Sequence, residues 1–137
     1  MILGLEHVAI AVADLDEAVR RFVDDLGLRL DGIEDVPSAV TRTAFLPVAG
    51  PTSIEIVTPL DGKGPVAVHL AKRKPGLHHL CFRTDDIDGD VARLEARGWT
   101  FTTDGPTPGA HGTRVIFVHP HSTGGVLIEL AEHPEDR

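Results

Sequence analysis

Four residues of this 137-residue sequence sit badly in a plain core, and their spacing repeats. Glu129 interrupts the apolar run Val126-Leu127-Ile128-Glu129-Leu130-Ala131, and Glu55 stands between Ile54 and Ile56 in the same way. A buried, unpaired carboxylate is costly enough to take up a proton instead, so each needs a partner. Arg42, Arg83 and Arg114 are available for salt bridges. A divalent cation is the other solution, because it satisfies both carboxylates at once. His7 and His79 supply the remaining donors, 48 and 50 residues before Glu55 and Glu129. Taken singly, a strand histidine is an ordinary polar residue. Two imidazoles and two carboxylates at matched places form a sensible shell for zinc, cobalt, nickel, manganese or iron.

The elements that carry these residues also occur twice. His7-Val8-Ala9-Ile10-Ala11-Val12 leads to Asp14-Leu15-Asp16 and a helical stretch ending at Gly27. His79-Leu80-Cys81-Phe82-Arg83-Thr84 leads to Asp86-Ile87-Asp88 and a helical stretch ending at Gly98. Asp14 or Asp16, then Asp86 or Asp88, are the natural N-caps, and the glycines are natural helix ends. Strand parity sends His7, Ala9 and Ala11 to one face and Val8, Ile10 and Val12 to the other, beneath the helix. His79, Cys81 and Arg83 likewise oppose Leu80 and Phe82. Both histidines therefore project onto the inner face.

Strand-like segments follow at Thr43-Ala44-Phe45-Leu46, Ser53–Val57, Trp99-Thr100-Phe101, Val115–Val118 and Val126–Leu130. Pro65–Lys72 reads as a bridging helix with proline in its first turn. Pro106 to Gly112 reads as a loop, Ser122-Thr123-Gly124-Gly125 as a hairpin turn, and Glu132 to Arg137 as a fraying tail. The expected class is α+β. Two tandem βαβββ modules fill 1–137, with module 1 at about 1–62, a bridge at about 63–75 and module 2 at about 76–137. Among the other histidines, His78 opposes His79 in parity and reads as supporting. His69 reads as solvated, and His119, His121 and His133 as surface or turn residues.

Composition removes several classes. Thirteen basic against 21 acidic residues give a net charge of −8, which leaves nothing to neutralise nucleic-acid phosphates. No apolar run approaches the ~20 residues that span a bilayer, and no signal peptide is read at the start. Cys81 is the lone cysteine, which excludes an internal disulfide and suits a reducing compartment, so the cytoplasm is expected.

The duplicated module with His and Glu at its ends resembles the vicinal oxygen chelate superfamily and, within it, the methylmalonyl-CoA epimerases. The matching blocks are Leu5–Val12, Thr43–Pro47, Gly76-Leu77-His78-His79-Leu80, Pro106–Gly112 and His119–Leu130. The resemblance implies curved mixed sheets around a metal cleft, with ligands at His7, His79 and Glu129. Glu55 occupies a position where relatives carry Gln or Glu. It implies a divalent ion (Co, Mn, Zn or Ni), an acyl-CoA substrate, a homodimer and proton transfer at C2. Because Glu129 and Glu55 come from opposite copies, Glu129 is the expected base and Glu55 the candidate for its counterpart on the other face. Some relatives carry a further acid at the position of Thr43, where this chain has none. His111 and Arg114 are candidates for phosphate or carboxylate contacts. The alternatives are a glyoxalase-I-type isomerase, a ring-cleaving dioxygenase and a non-catalytic drug-sequestering protein.

Overall fold

Asp14 opens the first helix as its position predicts: its side chain accepts a hydrogen bond from the Glu17 amide at 3.0 Å. Asp86 does the same for Gly89 at 2.9 Å in the second copy. The computed structural model describes residues 1–137. Around these two caps the chain runs β1 (Ile2–Ala11), α1 (Leu15–Arg20), β2 (Gly32–Val36), β3 (Thr41–Pro47) and β4 (Ser53–Pro59). The bridge α2 (Pro65–Arg73) follows, with proline in its first turn. The second copy is β5 (Gly76–Thr84), α3 (Ile87–Glu95), β6 (Thr107–Pro108), β7 (Arg114–Val118), α4 (Pro120–Thr123) and β8 (Ile128–Glu132). This is the βαβββ repetition expected from the sequence. No helix is long and apolar enough to cross a membrane.

Two compact units divide the chain, residues 7–78 and residues 1–6 with 79–137. Within the first, the strand order is β2-β3-β4-β1, with β1 parallel to β4 and the other pairs antiparallel. Within the second it is β5-β8-β7-β6, with β5 parallel to β8 and the rest antiparallel. The two topologies are the same.

Alternation decides which face each helix covers. In the first unit Leu15 and Ala18 of α1 pack on Ala44, Leu46 and Ile56, with Val12, Phe22, Val23 and Ile54 around them. The opposite parity presents Thr41, Thr43, Phe45 and Glu55. On that face Ala11 and Val57 meet Val66 and Leu70 of α2. In the second unit Ile87, Val91 and Leu94 cover Phe82, Ile116 and Leu130. Both helices stop where predicted. At Gly98 (φ +86°) the amides of Gly98 and Trp99 return to the carbonyls of Glu95 and Leu94, and the left-handed backbone there suits glycine. After α1 the coil widens over Arg21–Asp25 before Gly27 (φ +92°) ends it.

Three expectations are corrected. Trp99-Thr100-Phe101 is not a strand: Phe101 makes a single bridge to Val118 and its ring joins the core under α3. Ser122–Gly125 is no hairpin turn, because Pro120 starts the short α4, which ends in left-handed Gly124. The tail does not fray. Glu132 is 4% exposed and accepts the Ile87 amide at 2.9 Å, while Arg114 and Arg137 pair with it at 3.4 and 3.2 Å. Arg83 holds Asp136 and Glu135 at 2.6 and 3.1 Å. Replacing Glu132 by Ala strands a buried amide at the start of α3 and two arginines. The expected loss is about 2–3 kcal/mol, read as a lower urea midpoint with unchanged slope.

Candidate functional site

Side-chain parity brings each histidine to a glutamate within its own unit. In the first, β1 and β4 run parallel with Ala9 opposite Glu55. His7 stands two residues earlier on the same face. Its Nδ1 lies 2.6 Å from Glu55 Oε2, the side chains being 5% and 13% exposed. In the second, Cys81 is opposite Glu129, and His79 again stands two residues earlier. Its Nε2 lies 3.5 Å from Glu129 Oε2, at 7% and 11% exposure. The antiparallel neighbours repeat as well: Phe45 faces Glu55 and Phe117 faces Glu129. The duplication thus extends to the register of individual side chains.

The arginines that sequence offered as partners for the two carboxylates are engaged elsewhere. Arg42 is bonded to Asp35 at 2.7 Å, and it holds the Asp35 carboxyl below the usual range. Arg83 holds Asp136, lowering that carboxyl in the same way. Arg114 clasps Asp88 through two nitrogens at 2.9 and 3.0 Å and also reaches Glu132. Its guanidinium is thus engaged within the second unit. Each unit thus carries one imidazole beside one carboxylate, both largely buried, and these are donor types that suit a divalent ion.

Other predicted positions resolve individually. Thr43 is 2% exposed, and its hydroxyl lies 3.4 Å from that of Thr41. It shares the face of Glu55, leaving Glu55 as the half-buried carboxylate beside His7. Cys81 is fully buried as an inner-face filler. His69 is half-buried rather than freely solvated, its ring packing edge-to-face on His78 at 4.8 Å. Burial, and then repulsion from His69, lower the His78 pKa to about 4, which keeps it neutral in a supporting place. His119 caps α4, its Nδ1 accepting from the His121 amide at 3.1 Å. His133 stands at the start of the terminal turn, half-buried, with its side chain 19% exposed and its Nε2 buried near Glu6. His111 lies in an exposed turn at φ +57°, with a glycine on its C-terminal side. Phe117 was missed by sequence reading. Its ring stands perpendicular to that of His79, 5.1 Å away, and the period-2 pattern around Glu129 was the available signal.

Residues 6–117 match the Glyoxalase/Bleomycin resistance protein/Dioxygenase superfamily. An ethylmalonyl-CoA/methylmalonyl-CoA epimerase of Cereibacter sphaeroides is 37% identical over 96% of this chain and 99% of its own. The chain belongs to the methylmalonyl-CoA epimerase family. Solved structures of that family agree. The crystal structure of methylmalonyl-CoA epimerase from Mycobacterium tuberculosis superposes with a TM-score of 0.92 at 38% identity, covering 96% of this chain and 89% of that one. A methylmalonyl-CoA epimerase in complex with methylmalonyl-CoA and ammonium gives 0.92 at 29% identity, over 98% and 96%. Membership establishes the vicinal oxygen chelate fold for this chain and favours the epimerase over the glyoxalase-type alternative.

Proposed function

We propose that this chain interconverts the 2R and 2S epimers of methylmalonyl-CoA, with one divalent ion held by His7, Glu55, His79 and Glu129. The observation that carries the reading is the duplicated His–Glu pair, occupying the same register in both repeats of an epimerase-family chain. The C2 proton lies between a thioester and a carboxylate and is too weakly acidic for an unaided side chain. When bound, the ion supplies a Lewis acid for the negative charge that develops as that proton leaves. Glu129, ionised, accepts the proton from one face of C2, and Glu55, in its protonated form, donates one to the other; the two then exchange protons with solvent to reset. Epimerisation needs an acid/base for each face, and a duplicated module provides two equivalent carboxylates. Thr43, with only a hydroxyl, leaves that second role to Glu55.

The test is proton NMR of each methylmalonyl-CoA epimer in deuterated water. The C2 signal should disappear with cobalt- or manganese-loaded protein and persist after chelation, then disappear again when the ion is restored. Full activity in rigorously metal-free protein sinks the metal reading. No turnover of methylmalonyl-CoA alongside conversion of a glutathione hemithioacetal sinks the substrate reading. Cobalt, manganese, zinc and nickel all suit the donor set.

The active species is a homodimer in this reading, since short-module sheets leave edges that association covers. Light scattering at micromolar concentration should give twice the chain mass of 14.7 kDa, and a monomer contradicts it. A single buried cysteine suits a reducing compartment, so the cytoplasm is the proposed location.

A further inference from the structure

Phe117, Glu129 and Cys81 form one row across β7, β8 and β5, because Phe117 pairs with Glu129 and Glu129 with Cys81. Their side chains share a face, and His79 joins it from two residues along β5. Phe117 therefore lies on the sheet face opposite the core under α3, where Phe82, Ile116 and Leu130 gather. Its ring instead meets the His79 imidazole at 5.1 Å and 87°. The same register recurs in the other unit, where the buried Phe45 pairs with Glu55.

We infer that Phe117 is a positioning residue that sets the tilt of the His79 ring for metal ligation, an inference that rests on the metal reading above. An imidazole donates through a lone pair in its ring plane, so the tilt of the ring aims the donor. A perpendicular aromatic neighbour restricts that tilt before the ion arrives and reduces the ordering that binding must supply. Aromatic edge contacts of this kind correspond to roughly 3–10-fold in an equilibrium constant.

The experiment titrates chelator-stripped protein with cobalt and follows the visible absorption of the bound ion. Phe117→Leu should bind cobalt roughly 3–10-fold more weakly, with a shifted absorption band, and Phe117→Tyr, which keeps the ring, should bind within about twofold of wild type. Phe82→Leu removes a ring from the α3 core, so it should lower the thermal midpoint and leave cobalt affinity unchanged. The inference is overturned if Phe117→Leu binds cobalt as wild type does, or if Phe82→Leu weakens binding equally. Wild-type protein that takes up no cobalt overturns the metal reading itself, a result distinct from either of these.

Discussion

Glu129→Gln should abolish interconversion of the two epimers while leaving the fold intact. Glutamine keeps the volume and one coordinating oxygen at a position that is 8% exposed and packed beside His79, but its amide cannot accept the C2 proton. Losing a general base typically costs on the order of 10²–10⁴ in rate, and the lost ligand charge adds to that. The charge loss also removes part of the cost of burying a carboxylate, so the variant should unfold at a urea concentration no lower than wild type. Metal content and deuterium exchange from each epimer must be measured together. A metal-loaded variant that epimerises at near wild-type rate makes Glu129 a ligand only and moves the base elsewhere.

What the sequence made legible was whatever depends on local pattern. Parity placed His7 and His79 on the inner face, because strand alternation is enforced by each helix-covered core, while the register that brings Glu55 and Glu129 onto the same faces came only with the fold. Asp14 and Asp86 were legible as caps because a short carboxylate bonds the amide three residues on. What was missed depends on distant partners. The tail from Glu132 looked free because its acids and proline favour no local structure. Its anchors, Arg83 and Arg114, come from β5 and β7, far off in sequence. Those same contacts explain why neither arginine serves the buried glutamates. Trp99-Thr100-Phe101 has strand-like residues but lacks a neighbouring strand beyond one bridge, and its phenyl ring is drawn into the α3 core instead. His69 looked solvated on the bridging helix, and only the fold supplies His78 as its neighbour.

Glu55→Gln should give the mirror image of Glu129→Gln. Its carboxylate lies 2.6 Å from His7 Nδ1, and a glutamine oxygen can still accept a hydrogen from that nitrogen, so the neighbourhood should hold. Thr43, the nearby position on the same face, offers a hydroxyl that lies against Thr41 and no carboxylate to take over. Interconversion should therefore fall by on the order of 10²–10⁴, as for any lost acid/base. The two variants should differ in what survives. If each glutamate serves one face of C2, each variant keeps exchanging deuterium into the epimer whose proton its remaining carboxylate reaches. Glu55→Gln should then exchange one epimer and Glu129→Gln the other, neither producing its opposite. Mixing the two variants should restore net epimerisation only if the deprotonated substrate can dissociate between them, so the mixture should stay inactive. Exchange of the same epimer by both variants would mean that the glutamates act on one face, and the assignment of Glu55 as the counterpart of Glu129 would fall.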